Sequence, residues 1–289
     1  MSVEKMSVLV RLGKIPSKWL YLVIVLVVAI PIIYPFGTPF AITDATLAVY
    51  NEVEKLPAGG VVVIAGSNAY GFLIEIKECL QAFLMHVYSK DVKIVFISFS
   101  ADDAMFTRVA RDFLGISQDK PYKGKVYGID WVDLGYITGG SASLAYFCKN
   151  AFFVTVDAYG NPTQNLPVMK EIGKADTWAL YVEASAGTMV VTSMGVVSIP
   201  YKTTTVILNT AGWYPTHLPY VTAGIAKGMT MGILGGAEYE KLMGFVGLGH
   251  SGADVLNFTH LLTLVLVALA NISYLGQYIE KRKLKEVKE

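Results

Sequence analysis

The sequence predicts an α/β protein whose mainly parallel, doubly wound (Rossmann-like) sheet is flanked by an N-terminal and a C-terminal transmembrane helix. Residues 19–43 and residues 255–279 contain no Asp, Glu, Lys or Arg, and each window exceeds the ~20 residues that a helix needs to cross a bilayer. Between these windows, β-branched runs without polar alternation are separated by helical patterns. This order is typical of parallel strands that are covered by helices on both faces.

Residues 19–36 are predicted to form the first transmembrane helix, which Pro31 and Pro35 would kink or end. A cleaved signal peptide is the alternative, because the preceding residues 1–18 are basic. The apolar run is longer than such peptides need, and no Ala-x-Ala-like cleavage site follows it. A membrane-spanning helix is therefore the favoured interpretation.

Residues 255–278 are predicted to form the second transmembrane helix. This stretch is apolar but contains polar side chains at Asn257, His260, Thr263, Asn271 and Ser273. Polar groups at these depths most often join neighbouring helices through hydrogen bonds. We therefore expect the second helix to pack against the first helix or against a copy of it in another subunit.

Lys and Arg are concentrated outside the two apolar windows, in residues 1–18 and in the basic tail formed by residues 279–289. Basic residues next to a membrane-spanning segment favour the cytoplasmic side. Both termini are therefore predicted to be cytoplasmic in a two-pass protein of the cell membrane. The α/β domain, residues 44–253, is predicted to be extracytoplasmic.

The α/β domain is predicted to begin with a short helix, residues 44–56, and a turn at residues 57–60. Strands are predicted at residues 61–65, 92–99, 126–134, 152–156, 178–182 and 204–208. Helices are predicted at residues 72–88, 104–114, 141–148 and 167–173. These five or six strands are too few for an eight-stranded α/β barrel, so an open sheet is the expected architecture.

A long segment of the domain is nearly free of charge, because Lys202 and Lys227 are the only charged residues between Glu183 and Glu238. Proline, glycine and threonine interrupt every candidate for a third membrane helix in this segment. A surface of this kind favours contact with another subunit or with the membrane. We therefore expect a homo-oligomer, or other membrane-protein subunits, as partners.

The charge and the cysteines exclude several classes of function. The formal net charge is +1 without a basic stripe, so nucleic acid is not an expected partner. Cys79 and Cys148 are the only cysteines, and two isolated cysteines are more often small buried residues than a disulfide or a metal pair. No metal site and no cofactor are predicted.

Polar and glycine-rich turns follow several predicted strands, where ligands bind in an open parallel sheet. The predicted ligand-binding residues are Gly66, Ser67, Asn68, Gly139, Gly140, Ser141 and Asp157. The turn at residues 66–71 has the glycine spacing of a phosphate loop, but Phe72 and Leu73 replace the Lys-Ser/Thr pair, so a tight turn is favoured. Residues 138–143 would place N–H groups at a helix N-terminus that attracts an anion, or Ser141 would act only as the N-cap.

Ser67, Ser141 and Ser143 are the candidates for a catalytic serine, with a Lys or His as the base. The sequence has no Gly-x-Ser-x-Gly elbow, and none of its four histidines falls at an expected strand end. The favoured function is therefore a non-enzymatic, oligomeric scaffold or binding component that displays an α/β domain at the membrane surface. The alternative is a membrane-anchored serine hydrolase or peptidase.

Three groups of residues are similar to an uncharacterised family of prokaryotic membrane proteins that carry an α/β domain between two transmembrane helices. They are residues 127–140, residues 157–162 with 166–169, and residues 235–242 with 247–249. The similarity spans about residues 60–275, and the Gly-Ala-Glu-Tyr-Glu stretch is its most specific part. The resemblance implies the arrangement of anchor, α/β domain and anchor, without an established activity or catalytic residue.

Overall fold

The computed structural model describes residue 10 and residues 15–286, and the chain divides into two compact units. One unit is Pro39–His250, and the other joins the described residues up to Thr38 with those from Ser251 onward. Of the predicted cytoplasmic segments, residues 1–9, 11–14 and 287–289 lie outside the described residues. The orientation that depends on their charges stays a prediction.

A sheet of six parallel strands forms within Pro39–His250, the whole backbone of which the structure describes. The strands are β1 (Gly60–Gly66), β2 (Val92–Ser98), β3 (Trp131–Tyr136), β4 (Leu180–Ala184), β5 (Thr205–Leu208) and β6 (Gly228–Met229). Their order across the sheet is β3-β2-β1-β4-β5-β6, and every neighbouring pair is parallel. The predicted Rossmann-like sheet is confirmed, and its strand order reverses between β1 and β4.

Helices cover both faces of this sheet. The covering helices belong to the same unit as the sheet and are α2 (Asp44–Glu54), α3 (Leu73–Val87), α4 (Ala101–Phe113), α5 (Gly140–Lys149), α6 (Met189–Tyr201), α7 (Tyr214–Thr222) and α8 (Gly232–Leu242). Two further helices with described bounds are α1 (Ser17–Ile33), in the other unit, and α9 (Leu248–Glu286), most of which belongs to that unit. Because alternate strand residues point to opposite sides, Val62 and Ile64 of β1 join a core with α2, α3 and α4. Val61 and Val63 join a second core with α5 and α6 on the other face.

The predicted strand at residues 152–156 is wrong. Its first part is a 3₁₀ turn, Ala151–Phe153, in which Phe152 and Phe153 are 40% and 43% exposed, and an exposed apolar run cannot serve as a strand covered on both faces. The hydroxyl of Thr163 donates to the Val154 carbonyl at 2.6 Å, and its N–H donates to the Thr155 carbonyl at 3.0 Å. These carbonyls therefore bond to a nearby part of the same loop and not to a neighbouring strand of the sheet. The apolar residues thus belong to a loop.

Three smaller differences concern short elements. The predicted helix at residues 167–173 is only a 3₁₀ turn, Pro167–Lys170. β3 begins at Trp131 instead of residue 126, because Asp130 folds back and accepts a hydrogen bond from Val126 N–H at 2.9 Å. β6 was not predicted, since two residues carry no pattern. Gly228 lets it approach α2 closely, because a Cβ there would lie 2.6 Å from Val49 N.

The first turn of α9 is held by a buried carboxylate from α8. Glu240 accepts hydrogen bonds from the N–H groups of Gly247 (3.1 Å), Gly249 (2.8 Å) and His250 (3.0 Å), and pairs with His250 Nδ1 at 2.7 Å. N–H groups in the first turn of a helix have no partner within it, and a carboxylate satisfies them well. A Cβ at Gly249 would lie 2.8 Å from Ala237 N, so this contact needs glycine. In this chain the glycines of residues 247–249 therefore have a structural role.

A second carboxylate holds the chain in the other unit. Asp254 accepts hydrogen bonds from the N–H groups of Phe36 (2.6 Å), Gly37 (2.9 Å) and Thr38 (2.7 Å). Asn257 Nδ2 donates to Thr38 Oγ1 at 2.8 Å. At least one polar residue of the second apolar window therefore bonds to the segment that follows α1.

Within the described residues, one helical stretch is long and apolar enough to cross a membrane. It is Leu248–Ile279 of α9, a stretch of 32 residues whose most apolar window of 18 residues has a mean hydropathy of 1.9 and is not buried. The other apolar helices, α1 with 17 residues and α6, are shorter. Length and composition thus support the C-terminal membrane helix, whereas the two-pass arrangement stays a prediction.

Candidate functional site

A cavity of about 420 Å³ lies at the carboxyl ends of β1 and β4, where the strand order reverses. Ligand sites of open parallel sheets occur at this position. The lining residues, all of them described, include hydroxyls, aromatic rings and glycines but no charged side chain: Ser67, Phe99, Gly140, Ala186, Gly187, Thr188, Met189, Thr192 and Trp213. We name this cavity the switch-point cleft.

The turn after β1 is fixed by Asn68, whose side chain is fully buried. Its Nδ2 donates to Asp103 Oδ1 at 2.8 Å and to the Ala184 carbonyl at 2.6 Å, and its Oδ1 accepts from Ala186 N–H at 2.7 Å. The amide therefore ties this turn to α4 and to the end of β4. Asn68 supports the wall of the cleft, and the preceding Ser67 lines it.

Asp103 is a buried carboxyl behind this turn. Gly66 makes room for it, because a Cβ at Gly66 would lie 2.7 Å from both carboxyl oxygens. Its Oδ2 has no hydrogen-bond partner among the described residues. Burial raises the pKa of Asp103 to about 7, and the charge of Glu183 adds to the increase. Hydrogen bonds from Ser98 and Asn68 lower the pKa but do not cancel the effect of burial. Gly66, the first glycine of the phosphate-loop-like spacing, is thus required by its close packing against Asp103.

Glu183 of β4 is a second buried carboxyl behind the cleft. The hydroxyls of Tyr181, Ser185 and Ser193 donate to it, that of Tyr181 at 2.8 Å. Burial raises the pKa of Glu183 despite these three hydrogen bonds. A π-helical turn, Met194–Ser198, follows directly in α6, and such turns are frequent at functional sites.

The turn before α5 brings one predicted residue to the cleft. Gly140 lines the cleft, whereas Gly139 occupies the N-cap position with φ 99° and Ser141 is exposed in the first helical turn. Ser141 is therefore not the N-cap. Ser143 is buried, and its hydroxyl donates to the Thr138 carbonyl. Among the described residues, neither Ser67, Ser141 nor Ser143 is hydrogen-bonded through its hydroxyl to a Lys or His.

Asp157 does not line the cleft, because the strand that was predicted to end at it is absent. Its carboxylate accepts from Tyr127 OH at 2.6 Å, from Asn161 N–H and Nδ2 at 2.8 and 2.9 Å, and from Tyr159 N–H at 2.9 Å. Burial opposes its ionisation, but these bonds lower the pKa of Asp157. The carboxylate thus organises its own loop.

Sequence reasoning missed Trp213, Thr188 and Thr192 as cleft residues. Trp213 follows β5, so the strand-end rule would have selected it if applied to the last predicted strand. The two threonines belong to the charge-poor segment, where composition indicates only an interface.

His217 stacks on Trp213 with ring centroids 5.6 Å apart, and its ring nitrogens have no hydrogen-bond partner among the described residues. Burial lowers the pKa of His217.

Comparison of the chain with protein-family models, with curated proteins and with solved structures gave no match. Without a match, only the coarse features of the arrangement that the resemblance implies are shown, and the structure alone shows them. These are a parallel α/β unit and one long apolar helix near the C-terminus.

Proposed function

We propose that the chain is a membrane-attached binding protein whose α/β unit holds a small uncharged ring compound in the switch-point cleft. The composition of the cleft wall carries this proposal, because Phe99 and Trp213 supply aromatic surface while Ser67, Thr188 and Thr192 supply hydroxyls. Aromatic side chains pack on flat, partly apolar ligands, and hydroxyls both donate and accept hydrogen bonds. The volume of about 420 Å³ lies in the range of small-molecule sites.

The distribution of charge favours an uncharged ligand over an anion. An anion in the cleft would meet no Lys, Arg or His among the lining residues, all of which the structure describes, so nothing there would balance its charge. The N–H groups at the start of α5 act in the opposite sense, since they attract negative charge. Anion binding at Gly139–Ser141 is thus the competing prediction.

A membrane-anchored serine hydrolase is the weaker proposal. The hydroxyl of Ser67 is on the cleft wall, but a nucleophilic serine needs a base within hydrogen-bond reach. No Lys or His is among the lining residues of the cleft, all of which the structure describes. Binding without catalysis is therefore supported better.

Trp213→Ala is expected to weaken the binding of an uncharged ring compound about tenfold, because the loss of one aromatic contact corresponds to ~1–2 kcal/mol. The probes are adenosine and N-acetylglucosamine, titrated into the full chain in detergent micelles and followed by calorimetry. Trp19→Ala, which removes an exposed tryptophan of α1, is the control and should leave the dissociation constant unchanged. AMP serves as the charged counterpart of adenosine.

Three results would contradict the proposed ligand class. They are tighter binding of AMP than of adenosine, the absence of binding by both uncharged probes, and equal affinities for Trp213→Ala and the unmodified chain. The first of these results would support the anion alternative at the start of α5.

The proposed membrane arrangement is tested by thiol labelling. Asp119 lies in an exposed loop, and the natural cysteines, Cys79 and Cys148, are both free and buried. In intact cells without an outer membrane, we expect a membrane-impermeant maleimide to label Asp119→Cys and to leave the unmodified chain unlabelled. Labelling only after lysis would place the α/β unit in the cytoplasm. The homo-oligomer inferred from the charge-poor segment stays a prediction.

A further inference from the structure

The two lysines of the charge-poor segment meet in one cavity. Lys202 and Lys227 are 25 residues apart, yet both line a cavity of about 200 Å³ together with Ser198, Thr203 and Thr204. A second cavity, of about 230 Å³, is lined by Lys149, Lys170 and Lys174 among other residues. We name the two together the basic cavities.

The basic cavities lie next to each other at the amino ends of β4, β5 and β6, the edge of the sheet opposite the switch-point cleft. Lys174 precedes β4, Lys202 precedes β5 and Lys227 directly precedes β6. A hydrogen bond links the two cavities. Thr203, which lines the first, donates through its hydroxyl to the carbonyl of Ala175 at 2.7 Å, and Ala175 directly follows Lys174 of the second. The lysines thus form one basic surface that the cleft does not use.

These five ammonium groups have no direct partner among the described residues. None of them is in an ion pair, a hydrogen bond or a cation–π contact, and no carboxylate lines either cavity. Elsewhere in Pro39–His250, lysines such as Lys90 and Lys93 pair with carboxylates at 2.8 and 3.2 Å, and the only other unpartnered lysine of this unit is Lys120. Like charges repel, so their concentration around two cavities favours an external anion.

The helix ends explain only part of this pattern. Lys149 and Lys202 stand at the C-termini of α5 and α6, where a cation is favoured by the helix dipole. Lys170, Lys174 and Lys227 are not on α-helices and have no such reason to gather there.

We propose that the basic cavities bind a phosphate-bearing anion, with Lys202 and Lys227 holding one phosphate group and Lys149, Lys170 and Lys174 a second. Ammonium groups form strong charge-assisted hydrogen bonds with phosphate oxygens, and the hydroxyl of Thr204, which lines the first cavity, adds a further donor. The anion is either a soluble phosphate compound or the headgroup of an anionic phospholipid. This site is independent of the ligand proposed for the switch-point cleft.

The soluble form is tested by calorimetric titration of inorganic pyrophosphate into the full chain in neutral detergent. Lys202→Gln combined with Lys227→Gln, and Lys170→Gln combined with Lys174→Gln, are each expected to weaken binding about tenfold or more. Lys120→Gln removes an unpartnered lysine away from the cavities and should change nothing. Because these ammonium groups make no ion pair, hydrogen bond or cation–π contact with the described residues, the variants are expected to keep the thermal midpoint of the unmodified chain.

The lipid form is tested with the full chain in nanodiscs of phosphatidylcholine, with and without phosphatidylglycerol. Acetylation of each lysine by an amine-reactive ester is followed by mass spectrometry. The site is supported if the anion slows the acetylation of Lys202 and Lys227 but not that of Lys120. Protection by pyrophosphate in detergent indicates a soluble phosphate compound, and protection by phosphatidylglycerol in nanodiscs indicates a lipid headgroup. Unchanged acetylation in both arms, or equal loss of pyrophosphate affinity in Lys120→Gln, would overturn the proposal.

Discussion

Asp103→Asn is expected to stabilise the α/β unit at pH 8 by about 3 kcal/mol and to reduce the fall in stability between pH 4 and pH 8. The folded-state pKa of Asp103 is raised to about 7 from an ordinary value of 3.8, a difference worth about 4 kcal/mol. Since protonation favours the folded state, this contribution is present in full below about pH 4 and is lost as the pH rises through about 7. The new amide NH₂ replaces the unpartnered Oδ2, which offsets about 1 kcal/mol of the gain.

Urea unfolding of the full chain in detergent, followed by tryptophan fluorescence at pH 4.5 and pH 8, measures this effect. Asp112→Asn changes an exposed carboxylate of the same helix and should leave the pH dependence unchanged. Some pH dependence is expected to persist in Asp103→Asn, because the pKa of Glu183 is also raised by burial and acts with the same sign. An identical pH profile for Asp103→Asn and the unmodified chain would refute a buried, neutral Asp103.

Arg111→Met is expected to lower the free energy of unfolding by about 3–5 kcal/mol. Arg111 and Asp133 are both almost fully buried and are joined by a hydrogen bond from Nη2 to Oδ2. The guanidinium also lies 4.4 Å from the ring centroid of Phe96. Methionine fills a similar volume but leaves the Asp133 carboxylate in the core without its counter-charge, and that uncompensated charge is the source of the loss.

A double replacement separates charge from packing in this pair. Arg111→Met combined with Asp133→Asn should recover a large part of the loss, because the asparagine carbonyl can still accept the Gly135 N–H that Asp133 binds at 2.9 Å. Arg108→Met, at an exposed site of the same helix, is expected to cost less than ~1 kcal/mol. Denaturant midpoints of the four proteins are compared at pH 7. If the double variant is no more stable than Arg111→Met, the loss arises from packing.

The fold was predictable wherever a strand is buried on both faces. β1 and β2 are β-branched runs without alternation, and the structure buries them between two helical layers. The same apolar signal failed at Phe152 and Phe153, because composition does not distinguish a buried strand from a loop that exposes its aromatic rings. β6 is too short for any periodicity, and its position depends on the contact of Gly228 with α2, which no local pattern records.

The cleft was predictable in location but not in composition. The strand-end rule selects Ser67 and Gly140 from the sequence, and both line it. Trp213 lies just after β5, so the same rule points to it, but its aromatic ring is not the polar or glycine-rich signal that marked the other strand ends. Asp157 was selected through a strand that does not exist. Unpartnered buried atoms such as Asp103 Oδ2 depend on tertiary packing, and the sequence alone does not reveal them.

The Glu240 carboxylate also has a practical consequence for constructing fusions of this protein. Three N–H groups and an imidazole converge on it within residues 247–250, and Gly249 has no room for a side chain. Any insertion there would displace several donors at once, so epitope tags and fluorescent reporters should not be placed within residues 247–250.

Residues 117–125 form two tight turns, which are closed by the bridges Ser117–Lys120 and Tyr122–Lys125. Gln118 and Asp119, at the tip of the first turn, are exposed. That loop is the natural insertion point for a reporter that leaves the sheet, the cleft and the start of α9 intact.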